Sequence, residues 1–119
     1  MPYRREYSQR SKRRHLLLYL DVVDYETQRL IGHLGDISDK GLLLLTEMHL
    51  PVGLKRKVSI MLPDIEEFEE HTKIDIIIET RWTHPDKNPK VTCVGCLFLD
   101  IDKKGLDLID QLEAVLGFD

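Results

Sequence analysis

The stretch His15-Leu-Leu-Leu-Tyr-Leu-Asp-Val-Val23 decides the fold, together with residues 28–37 that follow it. One face of this first run carries its alternate residues Leu16, Leu18, Leu20 and Val22. Apolar side chains at every second residue are typical of a β-strand. The segment Asp24-Tyr-Glu-Thr27 supplies a turn before the second run. We therefore expect the two runs to pair as a β-hairpin.

Two polar segments flank this hairpin. The basic segment Gln9-Arg-Ser-Lys-Arg-Arg14 precedes it, and Asp36-Ile-Ser-Asp-Lys-Gly41 follows it. Arginine binds anions through a planar fork, and an Asp/Ser/Gly turn offers hydrogen-bonding groups and a close backbone approach. Together they predict a site for an anionic ligand with hydrogen-bonding edges. Turn formation alone is also a sufficient reason for Asp36, Ser38 and Gly41, since these residue types favour turns.

The rest of the chain predicts four more strands and one helix. The strands cover residues 41–46, 57–62, 74–83 and 91–100, and the helix covers 103–117 between an Asp102 N-cap and Gly117. The acidic connection 64–71 is interpreted as a solvated loop rather than a cation site, and residues 84–89 as another loop. Six antiparallel strands expose edges unless the sheet closes. The expected fold is therefore mostly β, a six-stranded antiparallel β-barrel with a C-terminal α-helix.

The charge is distributed unevenly along the chain. The 119 residues, which suit one domain, carry a net charge of −4. Residues 1–14 carry +5 and the remaining residues −9. We therefore expect a basic N-terminal arm over residues 1–14 and a barrel domain over residues 15–119. The acidic body argues against broad binding to a nucleic-acid backbone, which favours an extended basic face.

Several function classes have no support in the sequence. No apolar run approaches the roughly 18 residues of a membrane helix, and no export signal precedes the domain, so we expect a cytoplasmic protein. The pair Cys93-Val-Gly-Cys96 lies in a predicted strand, where positions i and i+3 face opposite sides, which favours packing over metal binding or a disulfide. Phosphate-loop and nucleophile motifs do not occur. We expect no catalysis, no metal and no cofactor.

The two polar segments, in this order and on these strands, resemble the PilZ domain family of bacterial cyclic di-GMP receptors. The family pattern is R-x-x-x-R just before the first strand and D/N-x-S-x-x-G between the second and third strands. Arg10-Ser-Lys-Arg-Arg14 and Asp36-Ile-Ser-Asp-Lys-Gly41 match it in spacing and context. Weaker agreements are Trp82 late in the fifth strand, the segment Gly95-Cys-Leu-Phe98 and the terminal helix. The resemblance extends from residue 9 over nearly the whole chain.

The resemblance implies that Arg10 and Arg14 hold phosphate and guanine groups of cyclic di-GMP, with Arg13 assisting. Arginine suits this role because its guanidinium binds a phosphate or the guanine O6/N7 edge bidentately and stacks on a base. Many family members carry a further Arg directly before the motif, where this sequence has Gln9. That position affects whether one ligand or a stacked pair is bound, so it bears on stoichiometry.

The second motif supplies the other half of the expected site. A carboxylate such as Asp36 accepts hydrogen bonds from the guanine N1–H and exocyclic amine, which a plain phosphate ligand does not offer. Ser38 donates to an acceptor on the ligand, and Gly41 leaves room for it. We expect Trp82 at the rim of the site.

The leading hypothesis is a cyclic di-GMP receptor that changes the conformation of its arm on binding and signals through a downstream protein partner. One alternative is a protein–protein interaction module on the same fold that no longer binds nucleotide. Another is a small nucleic-acid-binding β-barrel, which the basic arm favours. The −9 body and the scarcity of aromatic residues on the strands argue against this last alternative.

Overall fold

The computed structural model describes residues 19–116. They form six strands and one helix: β1 (Asp21–Asp24), β2 (Leu30–Ile37), β3 (Gly41–Thr46), β4 (Lys55–Met61), β5 (Lys73–Pro85), β6 (Thr92–Asp100) and α1 (Lys103–Leu116). Every strand pair is antiparallel.

The strands close into a barrel in the order β1-β2-β3-β6-β5-β4. Pairing of β1 with β4, where Val22 lies opposite Ile60, completes the circle. Closure leaves no unpaired sheet edge, which is the physical reason for expecting a barrel from six antiparallel strands. The predicted fold class is confirmed.

The interior of the barrel is filled by the inward-facing residues of each strand. In β3 every second residue is buried, so Leu42 and Leu44 face the core while Leu43 and Leu45 lie half-buried on the outer surface. The predicted apolar face of β5 is confirmed, since Ile74, Ile76 and Ile78 are all buried. The outer leucines of β3 contribute to both grooves described below.

Helix α1 packs on the barrel with one apolar side. Its buried side chains are Leu108, Ile109, Leu112, Val115 and Leu116. The predicted N-cap is confirmed, because the Gly105 N–H donates to Asp102 Oδ1 at 2.8 Å. A capped amphipathic helix that contacts β5 stabilises this side of the barrel.

Several boundaries differ from the predictions; strand β4, for example, was predicted over residues 57–62 and covers Lys55–Met61. Of the predicted first strand, residues 15–18 lie outside the described part of the chain, and pairing begins at Asp21. Strand β5 runs through Pro85, because His84 and Pro85, predicted to lie in a loop, pair with β6. The acidic connection contains a short 3-10 helix, Glu66–Phe68, whose Phe68 side chain is buried in the core.

Candidate functional site

A β-bulge in β2 turns Asp36 to the outside of the barrel. Leu34 pairs with Leu44 and Asp36 pairs with Leu43, so Gly35 is an extra residue in β2. Without it, Asp36 would share the inward face of Leu34, because side chains alternate along a strand. With the bulge, Leu34 is buried and Asp36 is exposed.

A second bulge, in β5, does the same for Trp82. Thr80 pairs with Cys96 and Trp82 pairs with Gly95, which leaves Arg81 as the extra residue. Thr80 is therefore buried, whereas Arg81 is exposed and the Trp82 side chain is 49% exposed. Regular alternation would have placed the indole with Thr80 in the core.

The two bulges bring Asp36 and Trp82 into one row on the outer surface. Asp36 lies opposite Leu43, Leu43 lies opposite Gly95, and Gly95 lies opposite Trp82. Four neighbouring strands about 4.8 Å apart place the two ends of this row roughly 14 Å from each other. The carboxylate and the indole thus face the same open surface from opposite sides.

A groove of about 350 Å³ runs along this row, and we call it the cross-strand groove. Its lining residues are Asp36, Ile37, Ser38, Lys40, Gly41, Leu42, Leu43, Arg81, Trp82, Gly95, Cys96 and Leu97. Four of the residues expected in the ligand site, Asp36, Ser38, Gly41 and Trp82, are among them. The structure therefore brings these four together.

The β2–β3 turn organises the polar end of the groove. The Ile37 N–H donates to Asp36 Oδ1 at 2.8 Å, and Asp36 Oδ2 has no hydrogen-bond partner within residues 19–116. The Lys40 N–H donates to Ser38 Oγ at 3.2 Å, and the Ser38 N–H donates to the Gly41 carbonyl at 2.9 Å. The hydrogen bonds of the turn are mostly internal, and among the described residues Asp36 Oδ2 is left available for a ligand.

Gly41 is required by the packing of β3 on β6. A Cβ atom at this position would collide with the carbonyl oxygen of Cys96. The φ angle of Gly41 is not positive, so of the two reasons that favour glycine here, close backbone approach is the one that applies.

Gly95 forms the floor beneath Trp82. A Cβ atom on Gly95 would meet the indole ring, with Cζ2 at 2.6 Å. The ring therefore lies directly over the backbone of β6. A half-exposed indole in this position offers a flat surface for stacking.

These features agree with a comparison against protein-family models, in which the PilZ domain model matches residues 8–114. The chain belongs to the PilZ domain family. Membership implies a receptor or adaptor role for the second messenger cyclic di-GMP, and PilZ domains are generally not enzymes.

A solved structure supports the fold of this PilZ domain. The chain is similar to the Bacillus subtilis inhibitor of motility, MotI/DgrA, with a TM-score of 0.58 and 21% sequence identity. The match covers 80% of this chain and 44% of that one, so less than half of that protein is matched. A search of curated proteins finds no match.

Two cations that sequence reasoning missed also line the groove of the PilZ domain. Lys40 lies within the second motif, and Arg81 is the bulged residue next to Trp82. The Arg81 guanidinium contacts the Glu79 carboxylate only loosely, with Nη1 and Oε1 3.9 Å apart. Lys40 could have been recognised as a groove residue from its position inside the second motif. Arg81 could not, because only the bulge in β5 places it in the groove.

Carboxylates surround the groove on the side of α1. Burial raises the pKa of Glu113, and the negative charges of Asp110, Asp39 and Asp36 raise it further. Glu113 is therefore close enough to the β2–β3 turn to be affected by the negative charges of Asp36 and Asp39. Among the described lining residues, Lys40 and Arg81 are the only cations that could attract an anionic ligand. The nearby carboxylates oppose that attraction.

The four arm positions expected in the site, Gln9, Arg10, Arg13 and Arg14, lie outside the described residues. The described chain shows where the arm joins the barrel. The Leu34 N–H donates to the Leu20 carbonyl at 2.8 Å, so the chain enters β1 two positions from Asp36 along β2. The arm is therefore attached at the Asp36 end of the hairpin.

Residues 19–116 contain neither a metal-binding cluster nor a membrane-spanning helix. Within that range, no group of three or more His, Cys, Asp or Glu side chains is arranged to hold a metal ion. The one helix there is too short to span a bilayer. Cys93 and Cys96 lie on opposite faces of β6, as predicted. Both are free thiols, and burial raises the pKa of Cys96 to about 12.

Proposed function

We propose that the cross-strand groove and the basic arm together bind cyclic di-GMP, and that the bound arm signals to a protein partner. The observation that carries this proposal is the row from Asp36 to Trp82, which combines a carboxylate, an indole and two cations on one open surface. A ligand with guanine bases and phosphates uses all three kinds of group.

Each end of the groove suits a different part of the ligand. The free Oδ2 of Asp36 accepts from the guanine N1–H and amine, while Ser38 supplies a hydroxyl beside it. Trp82 stacks on a base, an interaction worth about 1–3 kcal/mol per base. Lys40 and Arg81 lie between these ends and balance phosphate charge.

The arm supplies the positive charge that the groove lacks. Arg10 and Arg14 hold the phosphates and a guanine edge, and Arg13 assists. Arg14 precedes Tyr19 by five residues, a length of at most roughly 17 Å when extended. Since the chain enters β1 close to Asp36, this length reaches the groove. Gln9, in place of a further arginine, bears on whether one ligand or a stacked pair is bound.

Closing of the arm over the ligand is the proposed signal. Ordering backbone costs about 1–2 kcal/mol per residue. Charge-assisted hydrogen bonds of about 1.5–3 kcal/mol each offset this cost. The arm, residues 1–14, and the barrel domain, residues 15–119, thus act as lid and receptor. The receptor acts in the cytoplasm, its output is a protein contact, and it performs no catalysis.

Titration calorimetry with cyclic di-GMP tests the proposal. We expect saturable heat with the full chain, and a loss of about tenfold or more in affinity for Arg14→Ala, because one charge-assisted pair is removed. The matched control is Arg29→Ala, an exposed arginine at the opposite end of β2. Absence of heat with the unmodified chain would favour a PilZ domain that acts as a protein-interaction module without nucleotide.

A further inference from the structure

A second groove lies where β2 starts and β3 ends, and we call it the β2–β3 groove. Its volume is about 460 Å³. Two connections extend its walls, the one that follows β3 and the one between β5 and β6. The lining residues used below are Tyr19, Leu30, Leu45, Glu47, Met48 and Asp86. It shares no lining residue with the cross-strand groove.

The β2–β3 groove gathers exposed apolar side chains. Seven large apolar side chains are exposed within residues 19–116, and three of them, Tyr19, Leu30 and Met48, line this groove. Leu45 is half-buried and adds a fourth apolar surface. Contiguous apolar patches of this kind mark surfaces that contact another molecule.

The walls of the β2–β3 groove are fixed by internal hydrogen bonds. The Thr46 hydroxyl donates to the Ile31 carbonyl at 2.6 Å, and the Met48 N–H donates to Thr46 Oγ1 at 2.9 Å. On the other wall, the Asp86 N–H donates to the Val91 carbonyl at 3.1 Å. A groove that is already formed loses little conformational entropy when it is filled, which favours binding.

The charged side chains of the β2–β3 groove are carboxylates. They are Glu47 and Asp86, and neither Lys nor Arg of the described chain lines the groove. Within residues 19–116 the Glu47 carboxylate has no ion pair. Burial, and then the negative charge of Asp86, raise the pKa of the neighbouring Cys93 thiol. His33 also lines the groove, but its Nε2 lies 3.3 Å from Asp21 Oδ1, outside the lining.

Charge decides which kind of occupant suits this groove. Residues 15–119 carry −9, so a second copy of the chain would bring like charge to the two carboxylates. Anionic lipid headgroups and nucleic-acid phosphates are repelled for the same reason. A protein segment with an apolar side chain beside a lysine or arginine complements both the apolar surface and the carboxylates.

We propose that the β2–β3 groove is the docking site of the downstream protein partner, which places an apolar side chain against Leu30, Leu45 and Met48 and a lysine or arginine beside Glu47. That the occupant is the signalling partner rests on the proposed function, whereas its chemistry rests on the groove alone. Because Tyr19 lines the groove and joins β1 to the N-terminal segment, a docked partner lies beside the point at which that segment meets the barrel.

Methyl NMR of the full chain, without cyclic di-GMP, tests the docking chemistry. The probe is a blocked pentapeptide that carries a leucine between two arginines. We expect saturable shifts of the methyl signals of Leu30, Leu45 and Met48. Val52, which is 60% exposed and outside both grooves, is the reference and keeps its signal. A matched peptide with glutamates in place of the arginines should bind about threefold to tenfold more weakly.

Two results of this titration would overturn the proposal. One is the absence of shifts at the three groove residues, or equal affinities for the basic and the acidic peptide. The other is a set of shifts that follows the protein concentration instead of the peptide concentration, because the groove would then bind a second copy of the chain.

Charge reversal in the groove gives a sharper test. Glu47→Lys should weaken binding of the basic peptide about threefold or more and strengthen binding of the acidic one. Glu70→Lys, at an exposed carboxylate outside both grooves, is the control and should change neither affinity. Equal effects of the two variants would refute a contact at Glu47.

The apolar part of the contact is tested in the same way. Leu30→Ser, at a side chain that is 52% exposed, should lower the affinity for both peptides without unfolding the barrel, and Val52→Ser should not. Equal affinities of these two variants would contradict an apolar anchor. A chain that binds no cyclic di-GMP refutes the proposed function, but the peptide titrations still decide the docking chemistry.

Discussion

The cross-strand groove and the β2–β3 groove lie on the same outer face of the barrel and share strand β3. Leu43 lines the first and Leu45 lines the second, two residues further along the strand. Yet the first combines a carboxylate, two cations and an indole, whereas the second combines exposed apolar side chains with carboxylates. The difference arises in the neighbouring strands, because bulges at Gly35 and Arg81 turn Asp36 and Trp82 outward beside Leu43.

This contrast shows that the polar groove is created by the two β-bulges, which break the regular alternation of side chains along β2 and β5. It also gives the two grooves opposite electrostatic character. An anionic ligand suits the groove with Lys40 and Arg81, and a basic segment suits the groove with Glu47.

The largest effect is expected from Asp36→Ala, which removes the guanine acceptor from the cross-strand groove. Loss of a hydrogen bond to a charged group, about 1.5–3 kcal/mol, lowers cyclic di-GMP affinity roughly tenfold to a hundredfold. Calorimetry measures this. Asp39→Ala is the control, because Asp39 lies in the same turn and outside the groove lining. Similar losses of affinity in both variants would show that the total negative charge of the turn, rather than a specific contact of Asp36, determines binding.

Gly41→Ala should destabilise the barrel, since the new methyl group collides with the Cys96 carbonyl in the β3–β6 ladder. Overpacking of this kind costs about 1–3 kcal/mol. Urea denaturation without ligand measures it. Both grooves depend on β3, so this variant distinguishes a structural requirement from a ligand contact. A Gly41→Ala chain as stable as the unmodified one would contradict the close approach seen here.

Gly95→Ala should act on ligand binding more than on stability. The added methyl group meets the Trp82 indole, a half-exposed side chain that can turn away, instead of backbone. We expect a fall in cyclic di-GMP affinity of about fivefold, the lower end of a stacking contribution near 1 kcal/mol. Calorimetry and urea denaturation of the same variant separate the two effects. A large loss of stability with unchanged affinity for cyclic di-GMP would contradict the role of the Trp82 indole as a stacking surface.

Glu113→Gln tests the acidic surroundings of the cross-strand groove and has the smallest expected effect. Burial and then Asp110, Asp39 and Asp36 raise the pKa of Glu113. A raised carboxyl pKa in the folded state means that ionisation costs stability as the pH rises through that pKa. The variant should therefore gain about 0.2–0.5 kcal/mol at pH 7 and nothing below pH 4. If thermal unfolding shows the same gain in stability at every pH, the effect comes from packing and not from the charge of Glu113.

Sequence patterning was sufficient for the regular parts of the molecule. Alternation predicted Ile74, Ile76 and Ile78 as one buried face, helical spacing predicted α1, and Asp102 was predicted as its cap. These features depend on local periodicity and capping, which can be read from neighbouring residues in the sequence. The closed barrel followed from strand count and the need to avoid free edges.

The parts that were not predictable are those that depend on pairing between distant strands. An extra residue at Gly35 or Arg81 exists only relative to the partner strand, so neither bulge is visible in the local pattern. For the same reason Arg81 was missed as a groove residue. The steric need for Gly41 likewise comes from Cys96, a residue 55 positions away in the sequence. The roles proposed for Arg10 and Arg14 stay predictions.

The most direct measurement of the central claim uses the fluorescence of Trp82, the chain's one tryptophan. Cyclic di-GMP that binds across the row from Asp36 to Trp82 places a guanine on the indole. Emission should therefore be quenched in a saturable way, with a midpoint equal to the dissociation constant from calorimetry, and Asp36→Ala should move both midpoints together. Calorimetric binding with unchanged Trp82 emission would place the ligand elsewhere and contradict the account.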